Sequence, residues 1–254
     1  MKKVIAFDQD DTLNVTKIPM PPEMAELVKR LLDKYEVCII SGTNWEVMGK
    51  NNIEALKDVD TTQEQFKRLH IMPTTGTQYW HYVDGEWKCE YAHFLTDEQA
   101  TKITVALERA SKKLGYWCEN PAGEIIENRG SQITMSALGQ WATPEDKHAW
   151  DPTKEKRKAI VDEVTPELES LGVEVHSGGS TSVDVTLPGI DKAYGMRKFM
   201  EQTGYTMEEI LFIGDRLQEG GNDYPVRAMG IDWIEVTRWE DTAYVLRGIL
   251  GVTE

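Results

Sequence analysis

Short apolar runs that stop abruptly on acidic or small polar residues mark both ends of this chain, and they leave few folds open. Val4-Ile5-Ala6-Phe7 ends on Asp8-Gln9-Asp10-Asp11-Thr12, and Val37-Cys38-Ile39-Ile40 ends on Ser41-Gly42-Thr43. Ile210-Leu211-Phe212-Ile213 ends on Gly214-Asp215, and Trp233-Ile234-Glu235-Val236, interrupted by one glutamate, reads as a fourth strand. Runs this short and continuously apolar suit strands buried on both faces rather than helices. Amphipathic stretches accompany them. Pro21-Pro22 opens a helix with Met24, Leu27, Val28, Leu31 and Leu32 on one side, and residues 194–202 form another. Strand–helix alternation of this sort predicts an α/β fold, a parallel sheet with helices on both faces.

The middle of the chain follows a different rule. Residues 79–83 and 87–91 flank Asp84-Gly85, a strong hairpin signal. A helical pattern covers 97–114, strand-like pieces fall at 124–128 and 133–136, and a charged helix spans 153–171. Further strands are expected at 173–176 and 182–187. Paired strands with their helices kept to one side predict an antiparallel α+β module. The expected organisation is therefore a core, residues 1–81 and 189–254, interrupted by an inserted domain at 82–188.

A formal charge of −15 argues against nucleic acid or an anionic membrane as the main partner. It leaves a phosphorylated small molecule open, because one metal ion and a few local cations can reverse the field inside a pocket. Three cysteines, Cys38, Cys89 and Cys118, have no metal-ligand spacing and cannot close a disulfide framework. No stretch is long and apolar enough to span a membrane, and Met1-Lys2-Lys3 leads straight into a strand. A cytoplasmic protein is expected.

In an open parallel sheet, ligands bind beyond the carboxyl ends of the strands. Asp8-Gln9-Asp10-Asp11-Thr12, Ser41-Gly42-Thr43 and Gly214-Asp215 all fall there, the last running on to Gly220-Gly221-Asn222-Asp223. Clustered carboxylates repel one another unless a cation holds them, and an all-oxygen donor set suits Mg²⁺. Displacement at phosphorus uses such an arrangement. One carboxylate attacks, splitting a hard step into two. A second protonates the leaving oxygen and later activates the acceptor.

Phe7-Asp8-Gln9-Asp10-Asp11-Thr12-Leu13 resembles the DxDxT motif of the haloacid dehalogenase superfamily. Ser41 or Thr43 then matches the second-motif hydroxyl, Lys192 the third-motif lysine, and Gly214-Asp215 with Gly221-Asn222-Asp223 the acidic fourth motif. The resemblance implies a Rossmann-like parallel-sheet core with an inserted α+β cap domain. It implies Asp8 as nucleophile, Asp10 as general acid/base, and Thr12, Ser41 or Thr43, and Lys192 around the phosphoryl group. Mg²⁺ is implied at Asp8, the Asp10 carbonyl, Asp215, Asn222 and Asp223.

The inserted module is similar to the cap of the eukaryotic-type phosphomannomutases. Gly123-Glu124-Ile125-Ile126-Glu127-Asn128-Arg129 followed by Ile133-Thr134-Met135-Ser136-Ala137-Leu138-Gly139 resembles that family's cap strand and its sugar-phosphate arginine. Gly178-Gly179-Ser180-Thr181-Ser182-Val183-Asp184 matches its GGxxSxD stretch. By this resemblance Lys17, Arg129, Gln140, Lys147, Ser182 and Asp184 bind substrate, with a homodimer through the cap and, for a mutase, a hexose 1,6-bisphosphate activator.

Departures from the family pattern bear on the activity. Asp11 stands where the family has glycine, Lys17 where it has an arginine at the mouth of the site. Gln140 and Lys147 stand where two further phosphate-gripping arginines are expected. Lysine offers a point charge and glutamine none, so the grip on a distal phosphate is weakened. A mutase needs that grip to hold a bisphosphate in two orientations, whereas a phosphatase does not. The expected function is phosphomannomutase-like phosphoryl transfer on a hexose phosphate, with a sugar-phosphate phosphatase as the alternative. A non-catalytic sugar-phosphate-binding protein is the rival from another class. Plainer readings stand beside the individual residues: Thr12 as a cap, Arg129 as an ion-pair partner of Glu127, and Ser182 and Asp184 as the exposed alternation of any half-buried strand.

Overall fold

The computed structural model describes residues 1–16 and 18–253. Lys17, expected at the mouth of the site, lies outside the described residues. The chain divides into two compact units, Met1–Ala92 with Ile190–Glu254, and His93–Gly189.

The first unit begins with β1 (Val4–Phe7), every residue of which is buried. Helix α1 (Pro22–Leu32) has Pro22 at its first turn, where a missing N–H costs nothing, and buries Met24, Ala25, Leu27, Val28, Leu31 and Leu32. Strand β2 (Glu36–Ile40) follows. The next helix is assembled from α2 (Trp45–Met48), a π-helical segment at Gly49–Ile53, and α3 (Glu54–Lys57). In the π segment the Glu54 N–H reaches back five residues to the Gly49 carbonyl. A short α4 (Gln63–Phe66), closed by a Thr62/Gln65 capping box, leads into β3 (Leu69–Met72). The hairpin β4 (Gln78–Val83) and β5 (Glu86–Ala92) ends this half.

The second unit comprises α5 (Asp97–Lys113), β6 (Ile126–Asn128), β7 (Gln132–Ser136), α6 (Pro144–Trp150), α7 (Glu155–Leu168), β8 (Glu174–Ser177) and β9 (Ser182–Thr186). Its four strands pair antiparallel in the order β6-β7-β9-β8. Ile133, Met135, Val183 and Val185 point to one side and share a core with Ile103, Leu107, Ile160 and Val164 of α5 and α7. The alternate positions are polar, so this sheet is half apolar and half hydrogen-bonding, as an antiparallel sheet can be.

The chain then completes the first unit with α8 (Lys192–Thr203), β10 (Ile210–Gly214), α9 (Tyr224–Ala228), β11 (Asp232–Glu235) and α10 (Trp239–Thr253). The sheet order is β11-β10-β1-β2-β3-β4-β5. The first five strands are parallel and β4 and β5 antiparallel. Apolar residues from α1, β1, β2 and α10 fill one face, and Val4, Ala6, Cys38, Ile40 and Phe212 pack against Met196 and Phe199 of α8 on the other. This is the α/β fold expected.

The expected module boundary at residue 81/82 moves to 92/93, and the later one to 189/190. The expected boundary cuts through the hairpin and assigns most of it to the inserted module, but β4 pairs with β3 through His70↔His81 and Ile71↔Trp80 and so the whole hairpin extends the first sheet. Aromatic packing fixes it there: Trp80 stacks on Trp45 with ring centroids 3.9 Å apart, and Trp87 meets Phe66 edge-on.

Candidate active site

The order of the parallel strands reverses at β1, since the chain moves to β2 on one side and returns to β10 on the other. A crevice at strand ends opens at such a switch point. Asp8 leaves β1 here, and its N–H donates to the Ile213 carbonyl at 3.0 Å, so its position is held by the ladder itself. The loop then turns tightly. The Asp11 N–H donates to the Asn14 carbonyl at 2.8 Å, and Asp11 has φ 63°, in the left-handed region. Glycine suits that region best, but aspartate tolerates it better than most residues. Asp11 also accepts bonds from the Thr16 N–H and hydroxyl, at 3.3 and 3.0 Å. Its departure from the family glycine therefore leaves the turn intact.

Lys192 opens α8, whose first turn is capped by Asp191 accepting from the Tyr194 N–H at 2.7 Å. Its ammonium is 2% exposed, donates to Asp8 in a very short contact, and donates to Asp223 at 2.5 Å. Asp223 is completely buried. Its other oxygen accepts from the Arg216 N–H at 3.1 Å. Two glycines make room: a Cβ on Gly214 would come 2.5 Å from Asp223 Oδ2, and one on Gly221 would come 2.0 Å from the Arg216 carbonyl. Asp215 completes the set, since oxygens of Asp8, Asp215 and Asp223 lie within 4.8 Å of one another. A cleft of about 460 Å³ beside Asp215 is lined also by Arg216, Gln218 and Glu235.

The electrostatics follow from that crowding. Burial pushes the Asp8 carboxyl well above the usual carboxylate range; Lys192 opposes the rise, and Asp223, Asp10 and Asp215 add to it. Burial and Asp223 likewise raise Asp215. Burial alone would push the Lys192 ammonium down, but Asp8 and Asp223 outweigh it and hold it charged. The Lys192 ammonium and, 3.4 Å from Asp215, the Arg216 guanidinium thus face three carboxylates, with Asp8 and Asp223 buried and Asp215 at the edge of the cleft. The uncompensated negative charge and the all-oxygen donors fit a hard divalent cation.

The other expected core residues lie around this centre. Thr12 is buried, and its hydroxyl has no protein partner among the described residues. Ser41 is buried and its Oγ accepts from the Thr43 N–H at 3.1 Å, which leaves the serine proton to donate; Thr43 is half-buried. Their loop is gripped from behind by Thr74 and Thr75, whose N–H groups donate to the Thr43 and Ser41 carbonyls at 2.9 and 2.8 Å. Both threonines have positive φ, 47° and 60°, a strained state for β-branched residues. The same turn packs on α8: a Cβ on Gly195 would meet Ile40 Cδ1 at 2.4 Å and the Thr75 carbonyl at 2.9 Å. Asp10 is half-buried and outside the three-carboxylate group, and Asn222 is exposed on the loop before Asp223.

In the second unit, Glu127, Thr134, Asp184 and His176 form one cross-strand row. Asp184 Oδ1 accepts from Gln132 Nε2 at 2.9 Å and from Thr134 Oγ1 at 2.7 Å. Burial raises its carboxyl above the ordinary range, against Arg129, Thr134 and Gln132. Arg129 donates to Glu127 at 2.9 Å with both side chains mostly buried, so the ion pair of the plainer reading is present. Ser182 is half-buried, and its carbonyl accepts from the Gly178 N–H at 2.9 Å. The Lys147 ammonium, lowered by burial, donates to the Gln140 carbonyl at 3.0 Å. Gln132, Thr134 and Arg216 were missed. The signal for the first two was the polar alternation Gln132-x-Thr134-x-Ser136 facing Ser182-x-Asp184-x-Thr186 across the β7–β9 ladder.

The arrangement of sheet, switch point and acidic centre is that of the haloacid dehalogenase class. Among solved structures, a haloacid dehalogenase-like hydrolase from Bacteroides thetaiotaomicron superposes with TM-score 0.66 at 16% identity, covering 98% of this chain and all of that one. The Plasmodium falciparum IMP-nucleotidase gives TM-score 0.71 at 17% identity, over 99% of this chain and 69% of its own. Residues 24–251 match the eukaryotic phosphomannomutase family, and the chain belongs to it. The phosphomannomutase of Schizosaccharomyces pombe is 24% identical over 99% of this chain and 95% of its own length. Phosphomannomutase 1 of Homo sapiens is 25% identical over 87% of this chain and 82% of its own. The protein is thus a phosphotransferase of the haloacid dehalogenase type. Among the described residues no helix is long and apolar enough to cross a membrane.

Proposed function

We propose that this protein transfers the phosphoryl group of a hexose phosphate through Asp8, in the manner of a phosphomannomutase. One observation carries the reading: Asp8, Lys192, Asp215 and Asp223 converge at the switch point of a parallel sheet, mostly buried and short of positive charge. A carboxylate of Asp8 attacks phosphorus, the bond to the sugar oxygen breaks, and Asp10 gives that oxygen its proton. Asp10 then takes a proton from the acceptor hydroxyl, whose oxygen attacks the aspartyl-phosphate and releases Asp8. Lys192 orients Asp8 and stabilises charge on the phosphoryl oxygens, and the Ser41 and Thr12 hydroxyls donate to them. Mg²⁺, for which Asp8, Asp215, Asp223 and the Asp10 carbonyl are the ligands on this reading, would supply the remaining charge neutralisation. Arg129, Lys147, Ser182 and Asp184 recognise the sugar phosphate.

A second reading, hydrolysis of a sugar phosphate, draws support from the second unit. Arg129 is paired with Glu127, Lys147 is bonded to the Gln140 carbonyl, and Gln140 brings no charge. Few cations remain uncommitted to grip a distal phosphate, which a mutase requires and a phosphatase does not. Phosphorus NMR with Mg²⁺, mannose 1-phosphate and a trace of hexose 1,6-bisphosphate separates the two. Mannose 6-phosphate without free phosphate is the expected result. Free phosphate as the main product establishes the phosphatase, and retention of either activity in Asp8→Asn overturns both readings.

A further inference from the structure

The loop between Asp8 and Asp10 is anchored in the interior by Gln9, which is completely buried. Its carbonyl accepts from the N–H groups of Leu13 and Thr12, at 2.8 and 3.3 Å. Its side-chain Oε1 accepts from Asn52 Nδ2 at 2.7 Å. Asn52 is itself completely buried and sits in the π-helical segment. The same Nδ2 donates to the Met48 carbonyl at 2.9 Å, which fixes the orientation of the Asn52 amide. With that orientation, Gln9 Nε2 and Asn52 Oδ1 have no protein partner among the described residues, and neither do Asn14 Oδ1 and Asn51 Nδ2. Unmatched buried amide groups carry a desolvation cost, and an apolar pair of the same shape would stabilise a core better. A widened helical turn is likewise an uncommon choice, frequent at functional sites. The arrangement is poor as a staple and well placed as a locator.

We propose that the Gln9–Asn52 hydrogen bond is a positioning device, by which the π-helical segment sets the backbone between Asp8 and Asp10 in register with Lys192 and Asp223. The inference rests on the roles given to Asp8 and Asp10 above. Gln9 and Asn52 act through that backbone and are positioning residues.

The test uses the full chain with Mg²⁺ and p-nitrophenyl phosphate as probe, and compares Gln9→Met/Asn52→Leu with wild type. The double variant is expected to keep or raise Tm while kcat falls about tenfold or more, with KM within about twofold. Asn52→Leu alone, which strands the Gln9 amide, is expected to melt below both. Wild-type kcat in the double variant overturns the inference, as does a kcat loss that only tracks a fall in Tm. Where the double variant does not fold, Gln9→Met, which leaves the Asn52 amide its bond to the Met48 carbonyl, is assayed well below its own Tm: a kcat fall of about tenfold at unchanged KM supports the inference and wild-type kcat overturns it. Asp8→Asn is measured beside them. If it is active, the functional reading itself has failed; if it is inactive while the double variant turns over normally, the positioning claim alone has failed.

Discussion

The two units place their polar groups by different means. In the first, chemistry sits at strand ends: Asp8 is held by the β1–β10 ladder, Lys192 by the start of α8, and Asp223 by the backbone of Arg216. In the second it sits along strand faces, where Gln132, Thr134 and Asp184 meet through the β7–β9 register. A group at a strand end is located by the topology, and moving it means moving the sheet. A group on a strand face is located by alternation, and one substitution changes it without disturbing the ladder. Gln140, where the family resemblance leads one to expect an arginine, lies in neither setting but in the turn between β7 and α6.

Breaking the centre of the first unit should have the largest effect. Lys192→Met leaves Asp8 and Asp223 buried without their cation, and a stability loss of about 3–5 kcal/mol is expected by chemical denaturation. A loss below about 1 kcal/mol would mean that these carboxylates are protonated or hydrated rather than paired.

Acidification should then drive the two units in opposite directions. His70 is 4% exposed, bonded to Tyr79 and Glu36 at 2.8 and 3.0 Å, and stacked between His81 and the edge of Phe199. Burial holds its imidazole below the ordinary 6.5, so on acidification the unfolded chain takes up this proton before the folded one. Stability from this residue is present above about pH 6.5 and is lost as pH falls through that value toward the lowered folded one. Tm of wild type relative to His70→Gln should therefore drop between pH 7.5 and 5.5. Asp184 has the opposite sign. Its folded carboxyl is raised, so its charge costs stability at neutral pH, and the cost is relieved as pH falls through the raised value toward 3.8. Asp184→Asn should melt above wild type at pH 7, and the gap should close toward pH 4. Parallel trends in the two pairs would erase the contrast.

The smallest effect is expected at Asp11. Glycine there would relieve the left-handed backbone but lose both Thr16 bonds, and the net change in denaturation midpoint should correspond to no more than about 1 kcal/mol.

The parallel core was legible because its strands are short apolar runs, and Asp8, Ser41 and Asp215 were found by following each run to its end. Strand β3 was not, since His70 interrupts its apolar pattern and the charged Lys67-Arg68 precedes it. Helix α6 was missed because Pro144–Trp150 contains no buried residue and so no periodicity. The hairpin was recognised by Asp84-Gly85, but local pattern says nothing about which sheet a hairpin joins; here the aromatic contacts of Trp80 and Trp87 decide it. Expected helix 153–171 ends early at Leu168, and a 3₁₀ turn covers Glu169–Leu171. At the site, charge and motif order revealed the carboxylates and Lys192. Gln132, Thr134, Gln9 and Asn52 stayed hidden, because a sequence shows that an amide or hydroxyl is present and not which buried group it meets.

The contact between the Thr74–Thr75 turn and Gly195 bears on how the protein can be re-engineered. With no room for a methyl group at 195, or at 214 and 221 around Asp223, combinatorial libraries that randomise these positions would consist chiefly of unfolded or inert clones. Diversity is better directed at 129, 132, 140 and 147, where side chains can be exchanged while the strand ladder and the acidic centre are inherited unchanged.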